Sequence, residues 1–158
     1  MFTPAQKAVI QANMIATKTD WTDSDNAAYE TIKGKIIEAG KKLRLITYSE
    51  LVSGVKFNLP NLISDYQICV WDWKDMDRSM IGGFLARIST ETFSQYNFMA
   101  SSLVVLRDPQ GHVRPSQHFF EWMVAVGAIP DDDEETVMVF WSEQVNRAHN
   151  FYRHGTIL

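Results

Sequence analysis

Most apolar positions along this chain recur at helical spacing, and only a few short apolar runs are continuous. Thr3-Pro4 reads as a cap followed by proline at the first helical position, and a helix of mixed polarity runs on through Ala16. The polar stretch from Thr19 to Asp25 reads as a loop. Tyr29, Ile32, Ile36 and Ala39 then mark one face of a helix that starts at Ser24 or Asp25 and stops at Gly40. Leu43 to Ile46 is long enough only for a small strand or a connector. Thr47 and Glu50 have the spacing of a capping box, which predicts a short helix through Val52 that ends near Gly54. From Phe57 to Gln67 no period is legible. Ile68 to Trp71 is a short apolar run, a strand or a segment lying against the core.

The second half is more regular. Asp75 or Asp77 can cap a helix whose Ile81, Phe84, Leu85 and Ile88 fall at i, i+3, i+4 and i+7. Met99 to Leu106, dense in β-branched and apolar residues, predicts the main strand. Asp108-Pro109-Gln110-Gly111 has the chemistry of a tight turn, and His112 to Arg114 returns from it as a hairpin. Pro115-Ser116 opens a helix bearing Phe119, Trp122, Met123 and Val126 that ends at Gly127. The acids from Asp131 to Glu135 suit the positive end of a last helix, whose stripe is Val137, Phe140, Trp141, Val145, Ala148 and Tyr152. No repeat or linker divides the chain. The pattern predicts one compact, helix-rich α+β domain over residues 1–158 with a small antiparallel sheet, in which residues 1–23 form a loosely docked segment.

From Ile46 to Gly111 the order is strand, capped helix, irregular stretch, second helix, strand and tight turn, which fits a winged helix. Ile46-Thr47-Tyr48-Ser49-Glu50-Leu51, then Arg78-Ser79-Met80-Ile81-Gly82-Gly83, then Asn97, Leu103-Val104-Val105 and the Asp108–Gly111 turn carry a resemblance. Over less than half its length the chain resembles the C-terminal domain of alkylguanine-DNA alkyltransferases and their alkyltransferase-like relatives. The resemblance implies a winged-helix-like centre that binds DNA, with the second helix in the major groove and the hairpin on the backbone. It does not carry the family's chemistry. Where that family has Pro-Cys-His-Arg, this chain has Ala100-Ser101-Ser102-Leu103, and the arginine-to-glycine spacing is one residue longer. The single cysteine, Cys69, precedes the helix, and alkyl transfer needs a thiolate. The expected nucleic-acid contacts are Arg78, Ser79 and Arg87 on the helix and Arg107, His112 and Arg114 around the hairpin.

Charge modifies this reading by region. The chain has 15 basic and 19 acidic side chains, for a net charge of −4, so the basic excess of a non-specific nucleic-acid binder is missing. Residues 24–44 are nevertheless locally basic, whereas the acids are concentrated at 131–135 and Asp72, Asp75 and Asp77 oppose phosphate beside the helix. An aromatic content of 12% argues against disorder. No apolar run approaches the roughly 20 residues of a membrane span, and the N-terminus lacks a signal-peptide pattern, so the expectation is a cytoplasmic protein.

Other chemistries find less support. His118 and Glu121 share a helix face, but no second pair completes a metal site, and no elbow surrounds Ser101 or Ser102. No catalytic residue, metal or cofactor is expected. The leading expectation is a non-enzymatic nucleic-acid-binding protein. A second is a protein-interaction module or a homodimer, working through aromatic surface on the last two helices and the acidic 131–135 segment. A third is a small-ligand binder or enzyme with a pocket near Trp71, Trp73 and His118, the two tryptophans sharing one side of a strand.

Overall fold

The computed structural model of the chain describes residues 2–17 and 20–155, so Thr19, read above as the start of a loop, lies outside the described residues. Helix α1 spans Pro4–Thr17. It opens on a reciprocal cap, in which the Thr3 hydroxyl accepts from the Gln6 amide and the Gln6 side chain accepts from the Thr3 amide. Ile10 and Met14 of this helix are fully buried, in a core shared with α5. Asp20–Ser24 forms a 3-10 turn within the predicted loop.

Helix α2 runs Asn26–Lys41, with Asp25 as its cap and Ile32 and Ile36 at its buried centre. At its end Gly40 meets Tyr152, whose Cβ and Cγ lie 2.9 Å from where a Cβ on Gly40 would stand. Strand β1 (Ile46–Thr47) leads into α3 (Tyr48–Val52), whose capping box between Thr47 and Glu50 is formed as its spacing predicts. Residues 53–74 follow without regular structure, pinned by an isolated bridge between Phe57 and Tyr66. The apolar run Ile68–Trp71 is not a strand, because it finds no pairing partner.

Helix α4 runs Asp75–Tyr96. Its cap position is Lys74, whose amide donates to the Asp77 carboxylate at 3.0 Å. A 3-10 turn, Ala100–Leu103, precedes strand β2 (Val104–Arg107), so the strand is shorter than its apolar run suggests. The reason is polar. The Ser89 and Thr92 hydroxyls and the Gln144 amide oxygen accept from the backbone amides of Ser101, Ala100 and Met99, which ties this stretch to helices instead of a neighbouring strand. Strand β3 (Val113–Arg114) pairs antiparallel with β2, but β1 pairs with β2 in parallel, Ile46 opposite Val104. The sheet is therefore mixed, not antiparallel, because α3 and α4 form the long crossover that parallel neighbours need.

Helices α5 (Gln117–Val126) and α6 (Glu134–His154) complete the fold. One core lies among α2, α3, α4 and the start of β2; the other joins α1, α5, the first half of α6, Phe93 and Met99. Both cores draw on α4 and α6, which makes them one α+β unit. Among the described residues, no helix is long and apolar enough to cross a membrane.

Candidate functional site

The order of elements from Ile46 to Gly111 matches the sequence reading, yet α4 is the central helix of the molecule and half of its residues are buried. Its two arginines therefore have different fates. Arg78 stands in solvent on the first turn and pairs with Asp75 at 3.1 Å, and Ser79 beside it is exposed. The Arg87 side chain is only 14% exposed. Its guanidinium stacks 3.6 Å from the centre of the Tyr29 ring, with Asp23 at 3.6 Å and Glu91 at 3.5 Å, and it donates to Asn26 Oδ1 at 3.2 Å. Tyr29 in turn donates to Glu91. Burial first, and then this hydrogen bond, hold the Tyr29 phenol far above its ordinary pKa. Arg87 thus straps the 3-10 turn and α2 to α4, and its charge is already matched.

Around the hairpin, Arg114 forms a fork on Glu134 at 2.8 and 3.3 Å and lies over Phe120. His112 sits 3.4 Å from Asp108. Arg107 is exposed. It and Arg44 lie close enough to Glu50 to help hold that carboxyl below its usual range, although the largest cause is the hydrogen bond from the Thr47 hydroxyl. Among the described residues, Lys41, Lys42, Arg44 and Arg107 make no ion pair. Unmatched positive charge is therefore found at the end of α2 and along β2, not on α4. Lys35 is occupied otherwise, donating to the Glu50 and Ser53 carbonyls at the end of α3.

The three residues of the ligand-pocket reading differ in their surroundings. Trp71 projects into solvent at 93% exposure, with Ile63 also bare nearby in sequence. Trp73 turns inward, edge-on to Tyr48 at 6.4 Å. His118 is exposed on α5 and faces Glu121 at 3.4 Å. Among the described residues, no three His, Cys, Asp or Glu side chains are placed to hold a metal ion. Ser101 is buried and bonded to Ser89 at 2.7 Å, and Ser102 is fully buried, so neither is available to a substrate. Of the aromatic residues of the last two helices, Phe119, Phe120 and Phe140 are buried in the core, Trp122, Trp141, Phe151 and Tyr152 are half-buried against it, and the Trp141 indole donates to the Ser102 carbonyl.

The least satisfied surface is one that the sequence reading passed over. Opposite Ile10 and Met14, helix α1 turns Ala5, Ala8, Val9, Ala12, Ile15 and Ala16 outward, all exposed, with Val9 at 58% and Ile15 at 61%. Their spacing puts them on one face. Lys7 is the only charge on the helix, and it points inward over Phe93. A helix apolar on both sides is normally covered on both. Beside its N-terminus lies a groove of about 510 Å³ lined by Phe2, Ile129, Val139 and Phe140 with Glu135 and Glu143. A second groove of about 490 Å³ runs between α2 and β1, past Gly34, Lys35, Lys42 and Arg44. Comparison with known proteins adds no name to these surfaces: no family model, no curated protein and no solved structure matches the chain.

Proposed function

We propose that this chain is a non-enzymatic protein-interaction module that associates with a second copy of itself through the outward face of α1. The observation that carries this reading is the uncovered stripe from Ala5 to Ala16, apolar throughout and without a charge. Alanines let two helix backbones approach to the short end of the usual 8–10 Å range, while Val9 and Ile15 supply the apolar area. A face without charge meets its own copy without repulsion, and two-fold pairing buries the same patch on both partners. A nucleic acid or acidic surface would find no cation there. Fourteen residues of helix extend only about 21 Å. That falls short of a standard interface of ~800 Å² per partner, so the dimer is weak and concentration-dependent.

Sedimentation equilibrium over a wide concentration range tests this. The wild type shifts from monomer to dimer, and Val9→Gln with Ile15→Gln stays monomeric with an unchanged thermal midpoint, since both side chains lie outside the core. A wild type that remains monomeric at the highest concentrations overturns the reading.

One observation favours the nucleic-acid reading on a different face. Among the described residues, Lys41, Lys42, Arg44 and Arg107 make no ion pair and lie near one another along the end of α2 and β2, and Arg44 and Arg107 both act on Glu50. Mobility-shift titration at low salt decides it. Binding weakened by Lys42→Gln with Arg44→Gln, and unaffected by Arg78→Ala, supports this face; absence of binding removes it.

A further inference from the structure

The groove beside α1 has a composition of its own, independent of the self-association stripe. Glu135, Val139 and Glu143 recur at i, i+4 and i+8 on α6 and share one of its faces. They set an apolar side chain between two acids about 12 Å apart. Val139 is 64% exposed, while Phe140 and Ile129 beside it are buried and form the floor with Phe2. Among the described residues, no lysine, arginine or histidine lines the groove. Asp131, Asp132 and Asp133 extend the negative charge beyond its end.

The helix dipole accounts for acids in the first turn of α6, but Glu143 lies two and a half turns further on, where the dipole offers it nothing. Glu143 shares its charge with Arg147 at 3.3 Å, and Asp132 accepts from Gln117. Glu135 has no cationic partner among the described residues. An exposed valine between carboxylates, over an aromatic floor, is complementary to one kind of surface only. An acidic or phosphate-bearing ligand meets like charge, and a purely apolar one leaves Glu135 without a cationic partner.

We propose that this groove docks a cationic amphipathic segment of a protein partner, seating one apolar side chain on Val139 with lysine or arginine towards Glu135 and Glu143. The probe is a short synthetic helix of lysine and leucine at amphipathic spacing, titrated into the full chain while methyl NMR shifts and binding heat are followed. Two control peptides replace leucine by alanine or lysine by glutamate.

The expected result is saturable binding of the Lys/Leu peptide, with shifts centred on Ile129 and Val139. Glu135→Gln with Glu143→Gln should weaken it about tenfold or more, and raised salt should weaken it in the same direction. Val9→Gln with Ile15→Gln should retain the binding, which separates this groove from the self-association face. Equal binding by the Lys/Ala peptide means charge alone, equal binding by the Glu/Leu peptide means apolar contact alone, and shifts centred on Trp71 mean another surface; each overturns the proposal. So does concentration-dependent shifting of Ile129 and Val139 without peptide that disappears in Leu43→Asp. That outcome assigns the groove to the exposed Leu43 and its flanking cations on a second copy.

Discussion

Replacing Arg87 distinguishes a recognition helix from a structural strap. If α4 presented its arginines to a ligand, Arg78→Ala and Arg87→Ala would both be nearly neutral for stability. The geometry gives them unequal weights. Arg87 loses a cation–π stack, worth about 0.5–2 kcal/mol when partly desolvated. It also loses a hydrogen bond to Asn26 at 3.2 Å and a longer one to the Thr22 carbonyl at 3.4 Å. Its two ion-pair partners are half exposed, Asp23 at 50% and Glu91 at 40%, so each pair counts for at most ~1 kcal/mol. Glu91 keeps the Tyr29 hydroxyl and has Lys33 at 4.0 Å, which spares it the cost of a stranded charge. The expected loss for Arg87→Ala is about 2–3 kcal/mol, against ~0.5 kcal/mol or less for Arg78→Ala, whose partner Asp75 is fully in solvent. Arg87→Lys keeps the charge but not the planar stack and fork, and should fall between them. Urea unfolding measures all three, with the midpoint moving and the slope constant. An Arg87→Ala midpoint indistinguishable from wild type would refute the strap.

The two helical glycines of α2 give opposite signs. Gly34→Ala meets nothing within 4 Å and should stabilise by up to about 1 kcal/mol through helix propensity. Gly40→Ala must displace Tyr152 and should cost about 1–3 kcal/mol despite the same gain; urea midpoints that move together contradict the close α2–α6 crossing. Alkaline stability is a further test. Burial raises the Tyr29 and Tyr152 phenols, and hydrogen bonding to Asp77 carries Tyr66 up to about 12. Each holds its proton more tightly folded than unfolded. The stability they contribute is therefore intact below about pH 10 and is lost as pH rises beyond it. A urea midpoint that stays flat from about pH 9 to 12 would contradict this, and Tyr29→Phe should flatten part of the decline.

Much of the fold was legible because its signals are local. The Thr47–Glu50 box, the proline start of α1, the glycine end of α5 and the stripes of α2, α4 and α6 each lie within a few residues of sequence, and all form. The misreadings have long-range causes. Met99–Leu106 has strand composition, but its first half is captured by hydroxyls and an amide from α4 and α6, up to 45 residues away. For Ile68–Trp71 the sequence leaves a strand or a core segment open, and without a neighbour to pair with it is the latter, Ile68 and Val70 packing on the core. Strand direction was misjudged for the same reason: the parallel partner of β1 lies beyond two helices, and local spacing cannot express that.

The site was less legible because a charge has no meaning until its partner is placed. Arg87 and Arg78 look alike in sequence, both off the apolar stripe of α4. What separates them is Asn26 and Asp23, more than 60 residues earlier in the chain, which close over Arg87 and leave Arg78 open. Arg114 is likewise consumed by Glu134 at the start of α6, 20 residues later. Counting aromatics misleads in the same way: Phe119, Phe120 and Phe140 are spent on the core, whereas Trp71 is spent on nothing. Helix α1 is the converse. Its stretch of 14 residues with one lysine and apolar positions on two opposite faces is a local pattern, readable without any partner, and this domain buries only the Ile10–Met14 face. That leaves the other as the feature of this chain that the fold itself does not explain, and it is why the interaction reading rests on Val9 and Ile15 and not on the arginines of α4.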